Sequence, residues 1–191
     1  MTHHRRRNNG IDPSKINETV ELSPAQRYAA FKQTQAKQRT VAAEFARSMP
    51  FELDEFQMQA NDALEAGDNV LVAAPTGAGK TVAADFAIYL AQTRNVKAFY
   101  TTPIKALSNQ KYHDLVDQYG TDKVGLLTGD TSINSEADIV VMTTEVLRNM
   151  LYEHSVTLEA LRYVILDEVH YLADRFRGPV WEEVIIHLPK N

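Results

Sequence analysis

Two short strings in this sequence hold residues that could do chemistry together. The first is Ala74, Pro75, Thr76, Gly77, Ala78, Gly79, Lys80 and Thr81, set between an apolar run and a helix-forming run. Gly77 and Gly79 carry no Cβ, so the backbone there can turn its N–H groups toward phosphate oxygens. A helix that follows adds the partial positive charge of its first turn. Lys80 would reach the β- and γ-phosphates, and the Thr81 hydroxyl would ligate Mg²⁺. The common form of this loop begins with glycine where Ala74 stands, but the two glycines nearest the phosphates are kept. A purely structural turn is the alternative, and the loop alone does not say how the energy of ATP would be used.

The second string is Tyr163 to His170, in which four apolar or aromatic residues lead into Asp167 and Glu168. Adjacent acids there sit at the carboxyl end of a buried strand, the edge at which open α/β sheets bind ligands. Alone, the pair reads as a solvated strand end. About 90 residues after a phosphate loop, it reads as a catalytic pair. Asp167 would hold Mg²⁺ through water, and Glu168 would take a proton from the attacking water.

Such a site needs a parallel sheet to hold it, and the pattern supplies one. Asp54 caps a short helix ending at Gly67, and Val70–Ala74 reads as an apolar strand. A helix then runs to about Gln92. Strands are expected at Lys97–Thr101, Val124–Leu127, Asp138–Thr143 and Tyr163–Leu166, with helices to Tyr119, over Glu145–Tyr152 and over Pro179–His187. Continuous apolar strands separated by amphipathic helices imply a doubly wound parallel α/β domain. Ahead of it, residues 1–22 read as a disordered basic tail. Ser23–Ser48 reads as one helix, with Tyr28, Phe31, Val41 and Phe45 as its buried points and Pro50 after it.

Bulk properties narrow the class. Of the 191 residues, 44% are hydrophobic and 24% charged, ordinary values for a globular chain. No apolar run approaches the roughly 20 residues of a membrane span. The basic start has no apolar segment after it, so no secretory signal is expected. The chain has no cysteine, which excludes disulfides and thiolate metal sites. A soluble cytoplasmic protein is the expectation. Residues 1–50 hold nine Lys/Arg against four Asp/Glu, and residues 51–191 hold eleven against twenty-one, so the front is basic and the remainder acidic. The basic front could touch nucleic acid or simply be a solvated terminus.

Further strings carry a resemblance. Residues 100–111, 125–130, 141–151 and 167–170 (Asp-Glu-Val-His) resemble superfamily-two helicases of the DExH class, in particular superkiller-type, exosome-associated RNA helicases. Residues 171–189 resemble actinobacterial helicases of the same class. The likeness spans about residues 50–190 and implies a RecA-like P-loop domain that hydrolyses Mg-ATP and moves along single-stranded nucleic acid. RNA is the strand it implies first, and a DNA-repair helicase or a non-unwinding P-loop ATPase are the alternatives. It implies an adenine site of Gln57, whose amide can donate and accept, and Phe51, which would stack. His170 would couple that site to strand binding. Nucleic-acid contacts would come from Thr102, Pro103 and Lys105, from Gly129 and Asp130, and from Thr144 and Glu145. Backbone N–H groups and small hydroxyls at such positions grip phosphates without reading bases.

The resemblance also implies parts that this sequence does not contain. A Ser-Ala-Thr motif is expected shortly after Asp-Glu-Val-His, followed by a second RecA-like domain whose arginines complete the ATP site. Residues 51–191 are therefore expected to be a truncated first domain, with a slot in its sheet beside the acidic strand. Such a piece is expected to bind ATP weakly at best and not to turn it over usefully.

Overall fold

The computed structural model describes residues 39–189 together with Ser23, Ala25, Gln26, Tyr28 and Lys32. The expected tail over residues 1–22 lies outside the described residues, as do Phe31 and most of the helix expected from Ser23. The cap of that helix is described: Gln26 N–H donates to Ser23 Oγ (3.3 Å) and Ser23 N–H to Gln26 Oε1 (2.8 Å), a reciprocal capping box. Tyr28, expected to be buried, is 62% exposed.

Residues up to Thr40 and from Val41 onward form separate compact units. The expected continuous helix is interrupted by a turn at residues 39–40, and a distinct helix α1, Val41–Ser48, opens the second unit. The break has a cause in the fold. Glu65 accepts the N–H groups of Val41 (2.9 Å) and Ala42 (2.8 Å), so a carboxylate from the next helix caps α1. Phe45 and Ala42 of α1 are buried with Val82, Phe86 and Leu90.

Helix α2, Glu55–Ala66, is opened by the Asp54–Gln57 capping box and closed by Gly67 in the left-handed region at φ +95°. Next come α3 (Thr81–Arg94), β1 (Lys97–Thr102), α4 (Lys105–Tyr119), β2 (Val124–Thr128), β3 (Thr131–Ile133) and β4 (Ile139–Thr143). The unit closes with α5 (Thr144–Tyr152), a 3-10 turn over Val156–Leu158, β5 (Leu161–Leu166), a second 3-10 turn over Val169–Ala173, and α6 (Gly178–His187). The sheet order is β3-β2-β4-β1-β5, parallel throughout except for β3, which pairs antiparallel with β2.

Alternation along β1 and β4 explains the two layers. Tyr100, Ile139 and Val141 face one side and bury with Ala87 and Ile88 of α3 and Leu115 of α4. Phe99, Val140 and Met142 face the other and bury with Leu147 and Leu151 of α5 and Val184 of α6. This is the doubly wound α/β arrangement expected.

Two differences matter for the site. The expected strand Val70–Ala74 takes no part in the sheet, and Leu71 is 75% exposed. Apolar character does not make a strand without a partner for its backbone groups, and among the described strands β5, the acidic one, forms the sheet edge. The short strand β3 was not expected, because Thr131–Ile133 offers only three residues and no apolar run.

Candidate nucleotide and nucleic-acid site

The phosphate loop has the backbone its glycines allow. Gly77 and Gly79 lie at φ +83° and +77°, and Ala78 N–H closes a turn onto the Pro75 carbonyl at 3.2 Å. Thr81 begins α3, and in its first turn Val82 N–H donates to the Gly79 carbonyl (3.2 Å) and Ala83 N–H to the Lys80 carbonyl (3.3 Å). The Lys80 ammonium turns back onto the loop and donates to the carbonyls of Ala74 (2.8 Å) and Pro75 (3.0 Å). Thr76 is exposed beside Gly77.

Gln57 reaches this loop from α2. It is 4% exposed, its Oε1 accepts Asp54 N–H (2.8 Å), and its Nε2 donates to the Gly79 carbonyl (3.0 Å). The side chain expected to read adenine is thus also a brace between a helix cap and the phosphate loop. Phe51, the expected stacking ring, is 51% exposed, whereas Phe56 is half-buried.

Sheet register carries the acids to the loop. Tyr100 pairs with Ile165 and Thr101 with Leu166, and Asp167 N–H extends the ladder to the Thr101 carbonyl at 3.0 Å. Period-two alternation then puts Asp167 on the same face as Tyr100 and Ile165, toward α3 and α4. Asp167 Oδ2 accepts the Tyr100 hydroxyl at 2.7 Å, and Oδ1 accepts Glu168 N–H at 2.8 Å. Burial, then the Asp167 charge, push the Tyr100 phenol well above its ordinary pKa, so it stays protonated and donates. Glu168 itself takes φ +56°, ψ +42°, a left-handed conformation rarely adopted by a side chain of its size. Its Oε2 lies 3.0 Å from His170 Nδ1.

Thr81, Asp167 and Glu168 line one cleft of about 180 Å³, together with Tyr100, Thr102, Gln110, Lys111 and Asp114. A hydroxyl and carboxylates are hard oxygen donors. Mg²⁺ takes one or two such groups and fills its remaining positions with water and phosphate. Among the described residues no three His, Asp or Glu side chains gather into a cage for a metal. The donor set therefore fits Mg²⁺ shared with a phosphate.

The expected nucleic-acid residues divide into two kinds. Thr102 and Thr144 are each 1% exposed, and their hydroxyls are turned inward. Thr102 Oγ1 donates to the Ile104 carbonyl (3.0 Å) and meets Ser108 Oγ (2.7 Å), while Thr144 Oγ1 donates to the Thr102 carbonyl (3.2 Å). Here these hydroxyls lock the ends of β1 and β4 to the starts of α4 and α5, and are not presented to a strand. Pro103 is buried and Glu145 half-buried. Lys105, Gly129 and Asp130 are exposed, and Lys105 Nζ contacts both Asp130 oxygens at 2.7 and 2.6 Å. Donation by Lys105 and by Thr128 holds the Asp130 carboxyl below its ordinary pKa. Sequence reasoning gave no role to Tyr100 or Lys111, although both lie in the string 100–111. The polar tip of Tyr100 on an apolar strand was the available signal, whereas Lys111 lies within α4.

The sequence matches the DEAD/DEAH box helicase family over residues 54–191. The chain belongs to that family. It is 62% identical to a probable helicase HelY of Mycobacterium leprae over 149 residues, 78% of this chain and 16% of that protein. It is 53% identical to the antiviral helicase SKI2 of Saccharomyces cerevisiae over 146 residues, 76% of this chain and 11% of that protein. Among solved structures it resembles the Mycobacterium smegmatis helicase Lhr bound to single-stranded DNA and AMP-PNP, with a TM-score of 0.60 and 29% identity. That match covers 78% of this chain and 23% of Lhr. The chain thus spans about a sixth or less of the length of these curated relatives. Among the described residues no helix is long and apolar enough to cross a membrane.

Proposed function

We propose that this chain is the ATP-binding first domain of an ATP-dependent DExH helicase, which couples hydrolysis of Mg-ATP to movement along single-stranded nucleic acid and to unwinding. The observation that carries the proposal is the shared cleft: Thr81 at the start of α3 and Asp167 and Glu168 at the end of β5 line one cavity. In this reading residues 74–81 cradle the phosphates, and Lys80 exchanges its two loop carbonyls for β- and γ-phosphate oxygens. Thr81 and Asp167 hold Mg²⁺, which when bound neutralises charge on the transferring phosphoryl group. Glu168 takes the proton of the attacking water, with His170 orienting its carboxylate. Gln57 and Phe51 receive the adenine.

Nucleic acid is held by backbone N–H groups and charges at the ends of β1, β2 and β4, through Lys105, Gly129, Asp130 and Glu145, with Thr102, Pro103 and Thr144 shaping those ends from beneath. RNA is the proposed strand, supported by the likeness to two DExH-box ATP-dependent RNA helicases of Arabidopsis thaliana. A DNA-translocating reading has its own support in the DNA-bound relatives among the solved structures. A second RecA-like domain, supplied by the longer protein, completes the ATP site, and the proposed location is cytoplasmic. A strand-displacement assay on matched RNA and DNA duplexes tests the proposal in the full-length protein. ATP-dependent displacement that is lost in Glu168→Gln is expected, with RNA preferred. Displacement that survives Glu168→Gln overturns the assignment of the base.

A further inference from the structure

We propose that Tyr100 is a positioning residue for the magnesium-facing carboxylate Asp167, and that Lys111 and Asp85 brace Tyr100 from α4 and α3. The proposal rests on the ATP-site reading above and adds to it a device that fixes the distance and orientation between Thr81 and Asp167.

Tyr100 is 2% exposed and sits in an otherwise apolar layer of the sheet. A phenylalanine would fill the same space, so the hydroxyl is not needed for packing. A hydroxyl buried there is costly unless it is bonded, and its partner is Asp167 Oδ2 at 2.7 Å. The other oxygen, Oδ1, accepts Glu168 N–H at 2.8 Å. One donor on each oxygen fixes the plane of the carboxylate, leaving the remaining lone pairs directed into the cleft.

The ring of Tyr100 is itself held. The Lys111 ammonium lies 4.9 Å from its centroid and pairs with Asp85 at 2.9 Å. Lys111 and Asp85 are both largely shielded, with side chains 14% and 30% exposed, so this pair is screened less than a surface pair. Asp85 stands four residues after Thr81 on α3 and therefore on the same helix face. Three contacts, Asp85–Lys111, Lys111–Tyr100 and Tyr100–Asp167, thus join α3, the helix that Thr81 opens, to Asp167.

The test is a Mg²⁺ titration of full-length protein bound to a fluorescent ATP analogue, read by fluorescence rather than turnover. Tyr100→Phe should leave affinity for the metal-free nucleotide unchanged and raise the half-saturating Mg²⁺ about 10-fold, the low end for residues that orient a metal ligand. Asp167→Asn should remove the Mg²⁺-dependent gain, and adding Tyr100→Phe to it should change nothing further. A native midpoint in Tyr100→Phe, with Asp167→Asn defective, overturns this proposal and leaves the ATP-site reading intact. A native titration in Asp167→Asn brings down both. Should Tyr100→Phe fail to fold, Lys111→Met keeps the hydroxyl and removes the cation over the ring. A shifted midpoint there supports the brace, and a native one overturns it.

Discussion

Replacing Gly79 with alanine should cost far more than the same change at Gly77, although both residues lie in the left-handed region. At Gly77 an added Cβ meets nothing within 4 Å, so only backbone strain is incurred, about 1 kcal/mol. At Gly79 the added Cβ would stand 2.6 Å from Gln57 Nε2. That amide is the end of a side chain, but it is not free to move. It is buried, bonded to the Gly79 carbonyl, and holds the Asp54 N–H of the α2 cap. Displacing it forfeits two hydrogen bonds of about 1 kcal/mol each beyond the strain, for a total of roughly 3 kcal/mol. In a domain of this size that is a fall in Tm of about 6–12 °C, against about 2–4 °C for Gly77→Ala. Thermal and urea denaturation of the two variants measure the difference. In a Gln57→Ala background the extra cost of Gly79→Ala should vanish, because the obstructing amide is gone. Equal losses at the two glycines, or an excess at Gly79 that persists without Gln57, would refute the bracing role of Gln57.

Other outcomes follow from the same structure. Glu168→Gly should raise folding stability by about 1 kcal/mol by relieving the left-handed strain, while abolishing nucleic-acid-stimulated ATPase in the full-length protein; denaturant midpoints and phosphate release measure the two. Trp181 is 1% exposed, and Trp181→Ala should destabilise by about 3–5 kcal/mol, visible as a lowered urea midpoint. Glu136 is held below its ordinary pKa of 4.5 by donation from Lys97 and then Thr157. Its stabilising contribution is therefore complete above that value and is lost as pH falls through the lower folded-state one, so Glu136→Gln should flatten the acid limb of Tm against pH.

Much of this was legible in the sequence because it depends on local chemistry. Gly77, Gly79 and the helix from Thr81 follow from backbone freedom and composition. The apolar runs ending in Thr101 and in Asp167 give strands whose carboxyl ends meet. What escaped was whatever needs a partner from elsewhere in the chain. Val70–Ala74 has the composition of a strand but makes no ladder bonds. The break before Val41 depends on Glu65, more than twenty residues away. The inward turn of the Thr102 and Thr144 hydroxyls follows from their burial, which the motif order could not convey. The Tyr100–Asp167 bond needed the register of β1 against β5, since a one-residue slip would put the two on opposite faces.

The most direct test of the central claim is a nucleotide titration of the full-length protein against its Lys80→Ala variant, with Mg²⁺ present. If residues 74–81 grip a magnesium-bound triphosphate, the variant should lose most of its affinity for ATP and keep the native fold by circular dichroism. Identical binding curves for the two proteins would contradict the account.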